Sequence, residues 1–448
     1  MVKSLVEQFI PLWALSAYHK ALSFLAAKWY RSPSKKLVVI GVTGTNGKST
    51  TVNLIAAILR DTGDRVGFTS TVNYSAGGEV QLNKKKMTMP GRFALQRMLQ
   101  EMVQNGCRYA IVESSSEGVL QYRHLNIHYD AMVITNIAPE HLERHGGFEN
   151  YKQAKLEYFR LLERLPNKIL QGKKITKSIV VNGNDEYARD FLNFKVDKKI
   201  VFGITAVRHG NRSEKILAEQ TGSDAQGSRF TIAGIRFESQ LSGTFNIENC
   251  LAAIAAARTQ GVGLETSRRV LQKVAGIPGR LESIKEGQPF SVIVDYAYEP
   301  NALKALYETV KSWPRRRVIQ VLGGTGGGRD VARRPVLGQM ASANADIVIV
   351  TTDDPYDDDP RQIMEEVASG AQEVGKIEGE DLFRILDRRQ AIKKAINMAR
   401  RDDLVLITGK GAEQTMATAN GRYIPWDDRK VVRQELKSLL QDAGQQKS

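Results

Sequence analysis

The strongest chemical signal in this chain is the stretch GVTGTNGKST, positions 41–50. It lies between an apolar run, KLVVI, and an apolar-periodic one, TVNLIAAILR. A strand, a glycine-bearing loop and a helix in that order make a phosphate cradle, because the helix N-terminus offers unpaired N–H groups. Gly44 and Gly47 let the backbone come close to a phosphate, and Lys48 brings a point charge. Thr45 and Asn46 complete the loop, and Ser49 or Thr50 offers a hydroxyl to Mg²⁺. The strict spacing asks for a glycine five residues before Gly47, where this chain has Val42. The plain alternative is a glycine-rich turn that binds nothing.

Further polar clusters follow other apolar runs. VESSSEG puts Glu113 at a strand end, and TNIAPEHLERHGG carries Asn136, Glu140, His141 and His145. Metal-assisted phosphoryl transfer needs hard ligands beside the phosphate loop, and Glu113 and His141 supply them. A lone histidine is otherwise a surface or core residue. In YKQAKLEYF, Lys155 reads as a helix-surface lysine. The turn GGTGGGRD (323–330) can cradle a second anion through its N–H groups. TTDDPYDDDP (351–360) is either a charged surface turn or a recognition element for an amine-bearing group.

The elements that must position these residues alternate. KLVVIGVTG, RVGFTST, YAIVESS, AMVITNIA, SIVVNG and KIVFGIT read as buried strands with helical patterns between several of them. RFTIAGIRFESQLSG reads as an antiparallel hairpin, and GIPGR marks a boundary near residue 277. A second series follows, with strands FSVIVDYA, RVIQVLGG, ADIVIVTT and LVLITGK. The expected fold is α/β: a central phosphate-loop ATPase domain with a mostly parallel sheet (36–277), then a smaller Rossmann-like α/β domain (278–448). In open sheets of this kind ligands bind outside the carboxyl ends of the strands, where the polar clusters fall.

At 448 residues, with 42% hydrophobic and 25% charged, the chain is long enough for two or three domains. Its two cysteines, Cys107 and Cys250, make no metal spacing, and a reducing cytoplasm fits. The net charge of +15 is spread along the chain, without a DNA- or RNA-binding motif. An anionic substrate accounts for it better than nucleic acid. The first 35 residues are apolar and aromatic, but Pro11, His19 and Lys20 interrupt any membrane span. Leu22, Leu25 and Trp29 fall near helical spacing. They predict a helix that packs on the body of the protein or rests on a membrane surface, the latter placing a cytoplasmic enzyme at the inner membrane face.

GVTGTNGKST, ESSSEG, ITNIAPEHLERHG, YKQAKLEYF, GTFNIENCLAA, GRLE, DYAYEPNAL, GGTGGGRDVARRP, DDPYDDDP and GKGAE occur in one order. Together they resemble the Mur ligase family, ATP-dependent enzymes that add amino acids to the peptidoglycan precursor, and most of all its members that add the third residue. The resemblance covers roughly residues 36–440. It implies that the γ-phosphoryl of ATP activates a substrate carboxylate and that an amine then forms the amide. It places Lys48 on the ATP phosphates, and Ser49, Glu113 and His141 on Mg²⁺. Lys155 matches the family lysine that is carbamylated and faces a second Mg²⁺. Asn246, Asn249, Arg280, Asp295 and Tyr296 match nucleotide-side residues. Thr88, Ser115, Gln121, Arg123, Arg329, Asp330, Asp353, Asp354, Tyr356, Gly409 and Glu413 fall on the side of the muramoyl-peptide and the free amino acid.

The chain departs from the family pattern at several points. Glu117 stands for the histidine of EVSSH, Glu140 for the aspartate of RDH, Tyr298 for the histidine of DYAH and Ala412 for that of GKGHE. Tyr356 replaces the arginine of DNPR, the clamp for the distal carboxylate of diaminopimelate, and a phenol cannot replace that charge. Only about 35 residues precede the phosphate loop's strand, where the family has a UDP-binding domain. The UDP end is then held differently, or the substrate is a lipid-linked precursor. Folylpolyglutamate synthetases share the fold and lack that domain. A nucleotide-binding regulator whose chemistry has decayed is the other alternative.

Overall fold

The computed structural model describes residues 11–445, apart from 86, 141–144, 211–212 and 329–330. Two sheets organise the chain. In the first, β1 (Val38–Thr43), β2 (Val66–Thr69), β3 (Tyr109–Glu113), β4 (Ala131–Ile134), β5 (Ser178–Asn182), β6 (Lys198–Ile204) and β7 (Glu214–Asp224) run parallel. Their spatial order is β7-β6-β5-β4-β1-β3-β2, within a sheet of 11 strands. The edges are antiparallel: β8 (Gly227–Ile232) and β9 (Ile235–Ser239) extend β7, and Asn73–Ser75 with Gln81–Leu82 extend β2. The β8–β9 hairpin turns at Ala233 and Gly234, as its alternating pattern predicts.

β1, β3, β4 and β5 are buried at every position, as strands covered on both faces must be. Their valines and isoleucines fill that pleated, two-sided environment. On one face, α2 (Lys48–Arg60) packs against Thr244–Thr259, whose run of alanines at 252–253 and 255–257 lets the two helices approach. The other face is covered by Phe148–Arg164 and Arg92–Gln104, whose Tyr158, Phe159, Leu95 and Leu99 share a core with β3 and β4.

The chain leaves this sheet through Ile277–Arg280. In the second sheet β10 (Ser291–Asp295), β11 (Val318–Thr325), β12 (Ile347–Asp354), β13 (Leu382–Ile385) and β14 (Leu404–Thr408) are parallel, in the order β10-β14-β11-β12-β13. Glu282–Ser283 adds an antiparallel edge of two residues.

Among the elements that escape the sequence pattern are β7, β13 and the helix Arg333–Asn344. That helix carries a proline in its first turn and Gly338 inside, so its propensity is poor. Packing explains it. A Cβ at Gly338 would fall 1.8 Å from the Val367 carbonyl, and one at Gly370 would fall 2.0 Å from that of Pro335. The two helices touch backbone to backbone, which only glycine permits.

The N-terminal helix α1 (Leu12–Trp29) seats on the body through small residues. Ser23, Ala26 and Ala27 are buried, while Leu25 and Trp29 are 52% and 77% exposed.

Candidate active site

The parallel strands of both sheets deliver their carboxyl ends to one cavity of about 500 Å³. Its walls include Gly44–Thr50, Glu113 and Lys155 from the first sheet's side, and Asp295–Tyr298, Asp353, Asp354 and Gly409 from the second. That size suits a nucleotide or a peptide-sized ligand.

The phosphate loop is held by the two residues just past β4. Thr45 N donates to Asn136 O at 2.9 Å, Asn46 N to Asn136 Oδ1 at 2.9 Å, and Thr135 Oγ1 to Asn46 O at 2.6 Å. Here the glycines have a role that the sequence does not reveal. Gly44 and Gly47 have φ of 150° and 81°, and a Cβ at either would fall within 2.0 Å of Thr135 Oγ1 or Asn249 Oδ1. They let the loop press on its supports as much as on a ligand. Lys48 Nζ donates to the carbonyls of Gly44 (3.0 Å) and Thr45 (2.6 Å). Thr50 is buried at the head of α2.

Ser49 Oγ donates to Glu113 Oε2 at 2.8 Å, and Glu113 also accepts from Thr71 N (2.7 Å) and Thr71 Oγ1 (2.8 Å). A hydroxyl and a carboxylate side by side at the phosphate loop are hard oxygen donors. They fit Mg²⁺, which takes one or two protein oxygens and fills the rest of its shell with phosphate and water. His141, Arg329 and Asp330 lie outside the described residues.

Lys155 overturns its helix-surface reading, because it is 1% exposed. It projects from Phe148–Arg164, donates to Gly44 O at 2.7 Å and sits 4.4 Å from the Tyr151 ring centre. Burial, then the charge of Lys48, push its pKa well below the ordinary lysine value, against a weaker pull from Glu140. The amine is thus biased toward its neutral, nucleophilic form.

On the facing wall, Asp295 accepts from Leu281 N (2.6 Å) and Ala297 N (2.7 Å), and Arg280 stacks 4.4 Å above the Tyr296 ring. Burial raises the Asp295 pKa against the charge of Arg280. At the end of β12, Asp353 and Asp354 are buried rather than a solvated turn. Lys410, between Gly409 and Gly411, donates to Asp354 (2.9 and 3.0 Å) and to Glu413 (2.5 Å), and lies 3.8 Å from Asp353. Burial lowers its pKa, but Glu413, Asp353 and Asp354 together outweigh this and hold it well above the ordinary value. Arg388, fully buried, grips Asp428 with two bonds of 2.8 Å and donates to Thr408 O at the end of β14. Tyr356 lines the cavity beside this wall with φ of 53°.

Two departures from the family pattern meet in space. Tyr298 OH donates to Glu140 Oε1 at 2.9 Å across the two halves, next to a bond of 3.2 Å from Asn46 Nδ2 to Glu299 Oε1. Burial, then the Glu140 charge, raise the Tyr298 pKa, so the phenol keeps its proton.

Thr88, Ser115 and Arg123 line the cavity, whereas Gln121 and Asn246 stand behind it. Gln121 bonds Glu117 and Arg123. Asn246 accepts from Asn249 at 3.0 Å and so holds the residue that does face the loop. Sequence reasoning missed Lys410, Thr71 and Arg388. Only Lys410, a lysine flanked by glycines at a strand end, left a signal.

Residues 42–257 match the Mur ligase middle domain and residues 279–411 the Mur ligase, glutamate ligase domain. The chain is 35% identical to a UDP-N-acetylmuramoyl-L-alanyl-D-glutamate--2,6-diaminopimelate ligase of Geobacillus kaustophilus, across 96% of this chain and 84% of that one. It is 36% identical to a UDP-N-acetylmuramyl-tripeptide synthetase of Roseiflexus sp., across 94% of this chain and 82% of that one. Folylpolyglutamate synthase from Mycobacterium tuberculosis superposes with a TM-score of 0.65 over 98% of this chain and 97% of its own, at 17% identity, which shows a shared fold alone. With two domain matches in the expected order and relatives aligned over nearly its whole length, the chain belongs to the Mur ligase family of ATP-dependent ligases.

Proposed function

We propose that this ligase joins an amino acid to a UDP-N-acetylmuramoyl-dipeptide-type precursor, forming ADP and phosphate in peptidoglycan synthesis. The observation that carries this reading is the single cavity shared by the phosphate loop and the Asp353–Asp354–Glu413 wall. A carboxylate oxygen of the acceptor takes the γ-phosphoryl of ATP, and ADP leaves. The free amine attacks the resulting acyl phosphate carbon and loses a proton, and phosphate departs with the carboxylate oxygen. Such transfer depends on positioning and charge neutralisation.

In this reading Lys48 and the loop N–H groups hold the phosphates. Ser49 and Glu113 hold Mg²⁺, with His141 completing the set. The ion neutralises charge on the transferred phosphoryl group. Lys155, whose charged form burial disfavours, takes up carbon dioxide and releases a proton to become a carbamate, which would supply an oxygen ligand for a second Mg²⁺. Asn249, Arg280, Asp295 and Tyr296 frame the nucleotide. Thr88, Ser115 and Arg123 face the muramoyl-peptide, and Asp353, Asp354, Gly409 and Glu413 face the incoming amino acid. Tyr356, in place of a charged clamp, favours an amino acid other than meso-diaminopimelate. The enzyme works in the cytoplasm, with α1 resting on the membrane surface.

Phosphate release from ATP and Mg²⁺ tests this, with UDP-N-acetylmuramoyl-L-Ala-D-Glu as acceptor and a panel of amino acids. Release that requires both acceptor and amino acid supports it. Absence of release with every pair contradicts it.

A further inference from the structure

The outward face of α1 is unlike the rest of the surface. Trp13, Tyr18, Phe24, Leu25 and Trp29 are 76%, 58%, 57%, 52% and 77% exposed. With Ala17 and Ala21, also exposed, they recur at helical spacing and form one continuous face. Trp13 and Trp29 stand at its two ends, about 24 Å apart along the axis. Indoles prefer a boundary with one wet and one apolar side.

The charge carried by the segment itself has one sign. Lys20, Lys28, Arg31, Lys35 and Lys36 are exposed in and beside it. From Gln8 to Arg60 the sequence has no acidic residue. An aromatic face on a segment whose own charges are all basic is complementary to an anionic lipid headgroup layer. No described helix is long and apolar enough to cross a membrane, so the geometry is that of a helix lying on the bilayer.

The inner face of α1 ties it to the substrate side of the cavity. Ser16 Oγ and Tyr122 OH are 2.6 Å apart, and Lys20 Nζ lies 5.0 Å above the Tyr122 ring. Ser23 Oγ donates to Leu125 O at 2.8 Å. The neighbouring Arg123 lines the cavity.

We infer that α1 docks on an anionic phospholipid bilayer through its Trp13–Trp29 face and basic rim, and thereby sets the Arg123 side of the cavity toward the lipid surface. This rests on the membrane contact proposed for α1 and adds the lipid chemistry.

The test is flotation of the full-length protein with vesicles of phosphatidylcholine alone, and of two parts phosphatidylcholine to one part phosphatidylglycerol. Binding to the anionic vesicles should exceed binding to the neutral ones by roughly tenfold or more at low salt, and should fall as salt rises. Trp13→Ser/Phe24→Ser/Trp29→Ser should lose it, and so should Lys28→Glu/Arg31→Glu/Lys35→Glu, with unchanged turnover of soluble acceptor by both. Equal binding to both vesicle types overturns the anionic assignment but keeps the membrane contact. Binding to neither overturns both, as does a dimer in solution that shields Trp13 and Trp29 from a fluorescence quencher. Turnover of the soluble acceptor reports separately on the ligase reading.

Discussion

Two buried lysines lie on the two sides of the cavity, Lys155 in its lining and Lys410 behind the opposite wall, and their surroundings shift them in opposite directions. Lys155 is pressed against the carbonyl of Gly44, with Lys48 nearby, and is driven toward the neutral amine. Lys410 is as deeply buried, but Asp353, Asp354 and Glu413 keep it a cation. Residue type alone therefore says little. A neutral amine is open to chemistry with carbon dioxide, whereas an ammonium held by three carboxylates is a fixed part of the wall.

The largest effect that separates them is on stability. Lys410→Met leaves the three carboxylates confronting one another and should cost about 3–5 kcal/mol, measured by denaturant unfolding. Lys155→Met removes an amine whose charged form the fold already disfavours and should cost far less. If the two variants unfold at the same denaturant concentration, the contrast is wrong.

Activity should order them the other way at matched fold stability. Lys155→Ala should lower kcat by roughly 10²- to 10³-fold, the scale of losing a group that stabilises transferred charge. Lys155→Arg should not recover it, since a guanidinium stays protonated. Bicarbonate should stimulate the wild type and leave both variants unchanged.

pH provides a third separation, in buffer free of carbon dioxide. The Lys155 pKa is lowered on folding, so between its folded value and the ordinary 10.5 the unfolded chain binds more protons and stability rises with pH. The Lys410 pKa is raised, so its contribution is complete below 10.5 and lost only as pH climbs through the higher folded value. Below pH 10.5 the thermal midpoint of the wild type relative to Lys155→Met should rise with pH, whereas relative to Lys410→Met it should stay flat and fall only above 10.5.

Tyr298→Phe should have the smallest effect, because it removes one bond to Glu140 and no charge. A loss of about 1 kcal/mol in kcat/KM is expected, and Glu140→Gln in the same background should add little. Additive losses would show that the two side chains act separately.

How much of this was legible follows the same division. β1, β3 and β4 announce themselves through short buried runs rich in valine and isoleucine, and the phosphate loop through its glycine and lysine spacing. Helix Arg333–Asn344 did not, because its Pro335 and Gly338 serve a backbone contact with a distant helix. The positions of Glu113 and Lys48 were readable from strand ends. The burial of Lys155 was not, since a lysine in YKQAKLEYF looks solvated until the loop carbonyl that receives it is in place. Lys410 and Arg388 depend on carboxylates from other strands, which one stretch of sequence cannot show. The pairing of Tyr298 with Glu140 joins two departures 158 residues apart.

The central claim is that the γ-phosphoryl of ATP passes to an acceptor carboxylate. The most direct test is to label that carboxylate with heavy oxygen, run the complete reaction and weigh the released phosphate. The account predicts one labelled oxygen in each phosphate, carried over when the amine displaces it. Phosphate without label, at equal product formation, would contradict it.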